Sequence, residues 1–233
     1  MPVASGLRSR HFTGEHILSR FDLVRDLDDR DLLVLRDLVR FGALRRRHID
    51  VRYVRAALSA RRLSRLEDRK LVKQRNDAGV PRGVFEATRT GARLVRRQVN
   101  LKWRSTPAGK LIHDLALVDL AAYWQEEDSN CTWITERELK AHIFSTDPGH
   151  RPDGVVVTRG SNIAIEFERS PKTMWHYEHI HRWFARATRI HGIRWYVTTS
   201  LIKRRVETAI DRQGLFGLDV EVAFVPKGVE VSG

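Results

Sequence analysis

A single cysteine, Cys131, is all the thiol chemistry that the 233 residues carry. It can close no internal disulfide and build no cysteine-rich zinc site, and beside Trp133 it reads as a small buried hydrophobe. Apolar runs of the ~20 residues that a bilayer helix needs are also missing. The opening Met1-Pro2-Val3-Ala4-Ser5-Gly6 has no apolar signal core, so a cytoplasmic protein with no membrane partner is expected. A glycine-rich phosphate loop is lacking as well, since Gly149-His150-Arg151 leads into a strand rather than a helix. Ser170 has no evident His and Asp partners, which argues against a hydrolase triad. Acid is scarce in one half of the chain: residues 1–110 hold 27 of the 42 Lys and Arg but only 12 of the 29 Asp and Glu. That half is therefore +15, and residues 111–233 are −2.

What is present is enough to fold, with 42% hydrophobic and 8% aromatic residues. A basic half of this size fits a polyphosphate partner, because each neutralised phosphate releases condensed counterions. Solubility and membrane-surface attraction are the competing readings of the same charge.

The local pattern divides the chain into a peripheral segment 1–28, a basic unit 29–100, a linker 101–110 and a second unit 111–233. In the basic unit, Leu32, Leu33, Leu35, Leu38, Val39 and Phe41 recur at helical spacing from Asp29, and Gly42 ends that helix. A short second helix is expected over Val51–Ala57. Ser59 reads as the N-cap of a third, with Leu63 and Leu66 inward and Arg61, Arg62, Arg65 and Arg69 on the remaining surface. Leu71–Arg75 and Val84–Thr88 read as strands around a turn-rich tip, 76–81, and Thr90–Leu94 opens another helix. Three helices, a two-stranded wing and a closing helix make a winged helix-turn-helix. The phrase Phe85-Glu86-Ala87-Thr88-Arg89-Thr90-Gly91-Ala92 resembles the wing-return segment of bacterial winged-helix regulators. That resemblance implies double-stranded DNA as partner, with helix Ser59–Asp68 in the major groove and Arg75 and Arg82 near phosphates. A helical hairpin with a solvated Arg face is the plainer alternative.

The second unit reads as an amphipathic helix Leu111–Gln125, strands from Thr132, over Pro152–Thr158 and over Ile163–Glu168, a helix Thr173–His191, a strand Ile193–Thr199, a helix Leu201–Gln213 and a strand Leu218–Val225. The order α-β-β-β-α-β-α-β argues for an α+β or α/β domain with a mixed sheet flanked by helices. In the third strand Ala164, Glu166 and Glu168 share one face. A hairpin turning at Gly160-Ser161 pairs Asp153 with Glu168 and sets it diagonally from Glu166. Three acids from two adjacent strands suit a hard divalent cation, Mg²⁺ or Mn²⁺, with room for water and phosphate. Acids on a solvent face paired with Arg159 or Arg169 remain the structural alternative.

Pro152-Asp153 followed by Glu166-x-Glu168 resembles the PD-(D/E)XK nuclease superfamily, whose core has the same element order. That family's motif usually ends in Lys, where this chain has Glu168. Lys172, four residues on, is a displaced candidate cation, and Glu136 or Glu138 a candidate further acid, with Asp114 a weaker one. More narrowly, Glu136-Arg137-Glu138-Leu139, Pro152-Asp153-Gly154, Glu166-Phe167-Glu168, Ser170 and Lys172 stand in the order found in replication-relaxation proteins of plasmids and integrative elements. The resemblance implies a metal-dependent DNA endonuclease or nickase with Asp153, Glu166 and Glu168 on the metal. The other function class is a DNA-binding factor that keeps the nuclease-like fold for contacts only. A homodimer is compatible with either. His176, His179, His181 and His191 are interleaved with Trp175, Tyr177, Trp183 and Phe184, so that helix reads as packed on the sheet or lining a DNA groove rather than as a zinc site. His113 reads as a polar partner of a nearby acid.

Overall fold

Helical periodicity, a capping box and a glycine stop set the first element. In the computed structural model, which describes residues 27–51, 53, 56–143, 149–215 and 217–231, helix α1 spans Asp29–Phe41. Asp28 and Asp31 exchange side-chain and backbone hydrogen bonds at 2.9 and 3.2 Å, and Gly42 ends the helix at φ +91°, a conformation other residues rarely adopt. All but the last two residues of segment 1–28 lie outside the described residues.

Strand β1 (Leu44–Arg45) and the short helix α2 (Arg46–Asp50) follow, then α3 (Ala56–Asp68). The second helix thus precedes the expected span, of which residues 52, 54 and 55 lie outside the described residues. Ser59 is inside α3 rather than at its start: its hydroxyl donates to Asp50, which Arg46 also holds, so it braces α2 against α3. Strands β2 (Val72–Gln74) and β3 (Val84–Ala87) complete a three-stranded antiparallel sheet in the order β1-β3-β2. Thr88 caps α4 (Arg89–Val99) by accepting from Gly91 N–H at 3.1 Å. Leu35, Leu38, Leu63, Leu66, Phe85 and Val95 meet in the core of this half.

The connection to the second half is bonded along its length. Trp103 donates to the Ala87 carbonyl at 2.7 Å, Ser105 to Glu86 at 2.7 Å, and Thr106 offers its carbonyl to Arg75 at 2.9 Å. Helix α5 then runs over Ala108–Glu127. It is not one-sided, because it is covered on more than one flank. Val118 joins the first core, Leu111 and Leu115 pack with Ala43 and Val84, and Ala116, Leu117 and Leu120 lie on the second sheet. Asp119, at mid-helix, is held by Arg45 at 2.9 Å, Arg47 at 2.6 Å and His48 at 2.7 Å, and it accepts from Glu230 N–H at 3.2 Å.

The second sheet has the order β4-β5-β6-β7-β8: Thr132–Thr135, Gly154–Val157, Asn162–Glu168, Gly192–Val197 and Asp219–Phe224. The first two pairings are antiparallel and the last two parallel. Helix α6 (Glu136–Glu138) and a π-helical turn (Leu139–Ile143) follow β4. Helices α7 (Met174–Phe184) and α8 (Ser200–Gln213) cover the face opposite α5, where Tyr177, Ile180, Ile202 and Val206 bury Ala164, Ile193 and Trp195. Helix α7 stops at Phe184, short of the expected His191. The chain is mixed α+β, with eight α-helices and this mixed five-stranded sheet among the described residues. None of the described helices is long and apolar enough to cross a membrane.

Candidate functional site

The β5–β6 hairpin closes differently from the expected two-residue turn. Val157 pairs with Asn162 and Gly154 with Ile165, two residues out of the anticipated register. The cause is Thr158, whose N–H and hydroxyl both bond to the Ser161 carbonyl, at 2.9 and 3.3 Å, and close a four-residue loop. Asp153 falls just before β5, outside the paired register, and its carboxylate turns to His113 on α5, whereas Glu166 meets His150 beside α7; the expected pairing of Asp153 with Glu168 on one shared face does not form. Gly154 is required here, because a Cβ would stand 2.6 Å from the Trp133 ring.

Each acid then meets its own cation. Asp153 Oδ2 accepts from Phe167 N–H at 2.9 Å and lies 3.3 Å from His113 Nε2 on α5. Glu166, 4% exposed, meets His150 Nε2 at 2.6 Å. Glu168, equally buried, meets Lys172 Nζ at 2.6 Å and accepts from Ser170 N–H at 3.2 Å. Among the described residues, no three His, Cys, Asp or Glu side chains are grouped as ligands of one ion would be. The electrostatics nonetheless join these groups. Burial pushes the Glu166 carboxyl up to about 7, with His150 limiting the rise and Asp153 adding to it. Burial opposes charge on His113, but Asp153 and Asp114 outweigh it and raise the ring to about 10. Burial would also raise Asp153, yet His113 and the Phe167 N–H hold its carboxyl below the usual range. His150 is raised by Glu166 and Lys172 by Glu168, against their own burial.

The two upstream acids separate. Glu138 is tied to Arg40 at 2.7 and 3.1 Å and caps its own helix through Thr135, so it braces α6 on α1. Glu136 instead lines a small cleft with Lys110, Asp114 and Asp153, where Lys110 reaches Asp114 at 3.1 Å and also bonds Glu136.

In the basic half, Arg61 is exposed and Arg65 half-buried on α3, and Arg69, half-buried, falls in the turn just past it. Arg62 turns inward, 2.9 Å from both Asp28 and Asp31. Arg82 is exposed at the base of the β2–β3 tip. Arg75, expected beside phosphates, is buried and spent on Asp77, Glu86 and the Thr106 carbonyl.

Sequence reasoning overlooked His150 and Lys110. The signals were there: His150 stands three residues before Asp153, and Lys110 and Asp114 have the i, i+4 spacing of one helical face. His181 is fully buried against Trp195, and burial lowers it to about 4, so it is a neutral core residue.

Comparison with family models, curated proteins and solved structures returns no match. The site is therefore read from its own chemistry.

Proposed function

We propose that this chain binds double-stranded DNA through α3 and the β2–β3 wing, as a winged helix-turn-helix does. We propose further that it hydrolyses a phosphodiester at a PD-(D/E)XK-like carboxylate site requiring Mg²⁺ or Mn²⁺. A role in plasmid or mobile-element replication, mobilisation or processing follows from the same resemblance. One observation supports the reading: Asp153, just before β5, and Glu166, in β6, are near enough to act on each other's charge, with Lys172 near both. Their donor set is hard oxygen, which suits Mg²⁺ or Mn²⁺, and Asp153, Glu166 and Glu168 are the residues that would hold it. When bound, such an ion supplies charge stabilisation at the phosphate and a more acidic water.

The protein's own groups divide the remaining work. Asp153 is kept ionised by His113 and fixed in orientation by the Phe167 N–H. Without an ion, burial raises the Glu166 carboxyl to about 7, and a cation bound there would favour its ionised form and release that proton. Lys172, four residues past the position of the family's Lys and paired with Glu168 at 2.6 Å, is the displaced source of positive charge. Arg61, Arg65 and Arg82 furnish phosphate contacts.

The second reading, a DNA-binding factor without chemistry, draws on the fact that every acid already has its own cation. Incubation with supercoiled and linear DNA, with Mn²⁺, Mg²⁺ or chelator, separates the two. Metal-dependent nicking or cutting is expected. Tight binding with neither cutting nor Mn²⁺ uptake leaves the binding factor.

A further inference from the structure

Helix α7 leaves one stripe unburied. At 100° per residue, Trp175, His179 and Arg182 fall within about 60° of one another, on the side away from Tyr177, Ile180 and Phe184. Trp175 is 64% exposed, the most exposed aromatic ring among the described residues, and His179 stacks on it at 5.4 Å with 21° between planes. Arg182 and, just past the helix end, Arg186 are exposed as well. No acid joins the stripe: Glu178 turns to Arg212 at 3.2 Å. A large ring in water gains nothing for the fold, since burying it would be favourable and it is left out.

The same helix walls the carboxylate site. It begins two residues after Lys172, and its Trp183 and Phe184 rings lie edge-on to His150, the partner of Glu166, at 5.8 and 5.7 Å. Stacking surface and cations in one row are what an unpaired nucleotide recognises, the base by its π-face and the backbone by charge. Duplex DNA offers no such base face except at its ends.

We propose that this stripe is a platform for single-stranded DNA: an unpaired base stacks on Trp175 and the strand runs past Arg182 toward Arg186. The proposal rests on the DNA-processing reading above and deepens it. The preferred substrate becomes a junction, with duplex held by the basic half and an unpaired arm led across α7 beside the carboxylates.

The test uses the full chain in chelator, so that binding is read without cleavage. The probes are a blunt duplex and a forked DNA of the same duplex length with 2-aminopurine in its unpaired arm. The wild type is expected to bind the fork more tightly and to quench the 2-aminopurine. Trp175→Ala should lose roughly five- to a hundredfold in fork affinity, with the quench, at unchanged duplex affinity. Trp175→Phe should recover part of both. Equal binding of fork and duplex without a quench overturns the platform and leaves the DNA-processing reading standing. So does a Trp175→Ala variant that holds the fork as the wild type does. A wild type that binds neither DNA overturns both.

Discussion

Buried acids are treated differently in the two halves of the molecule. In the basic half each has a guanidinium partner: Glu86 has Arg75 at 2.8 Å, with Lys73 also at 2.8 Å, and Asp31 has Arg62 at 2.9 Å with Tyr53 at 2.9 Å. At the five-stranded sheet they are held by His and Lys, as buried Glu166 and Glu168 and the half-buried Asp153 beside β5 illustrate. A guanidinium stays charged at any ordinary pH and forks onto a carboxylate, whereas imidazole and ammonium partners titrate or swing away. The first kind of pair is fixed structure. The second kind can be exchanged for a ligand.

The largest test of this contrast is Glu86→Ala. It removes one buried ionic partner of Arg75, which keeps Asp77 and the Thr106 carbonyl, and unfolding by denaturant should show about 1.5–3 kcal/mol lost. Asp153→Asn should cost less, because His113 keeps Asp114 and can shed its proton, and duplex affinity should change little. Cleavage should fall by orders of magnitude and Mn²⁺ binding, followed by calorimetry, should weaken. If Asp153→Asn instead destabilises the protein as Glu86→Ala does, the contrast collapses.

Acidity sharpens it further. The Glu166 carboxyl is raised from its ordinary value to about 7. The folded protein therefore keeps a proton that the unfolded chain releases, and stability falls as pH rises from ~4.5 through about 7. Glu166→Gln should flatten that slope, recovering up to roughly 3 kcal/mol above pH 7 in melts taken across the range. His113 has the reverse sense: its contribution is whole below the unfolded value of ~6.5 and is lost as pH rises through about 10. The smallest effect belongs to the basic surface. Arg61→Glu with Arg65→Glu should reduce the salt dependence of duplex binding by roughly two phosphates' worth, read as the slope of log affinity on log salt. An unchanged slope would remove α3 from the DNA contact.

Most elements could be read directly because their signals are local. Gly42 stops α1, apolar alternation marks β6, and Leu63 and Leu66 face inward as their spacing demands. What escaped depends on partners distant in sequence or on competing local bonds. Ser59 has the chemistry of a cap but serves Asp50 instead. The hairpin register turned on the Thr158 hydroxyl, and the two-sided burial of α5 on which neighbours it meets. Of the site, Asp153 and Glu166 were legible as candidate carboxylates, though the expected shared face was not met: Asp153 turns to α5 and Glu166 to His150 beside α7. Their pairing with His113 and His150 was not legible, since no periodicity links residues brought together only by the fold.

The Asp119 hub bears on how such a chain could diversify. One carboxylate on α5 is grasped by three side chains of the other half and by a backbone N–H near residue 230. A recombination that replaced only the front portion would leave that buried carboxylate without its Arg and His partners. A viable exchange of the front portion would have to keep Arg45, Arg47 and His48 or change Asp119 with it, so the two portions are matched at this point rather than interchangeable.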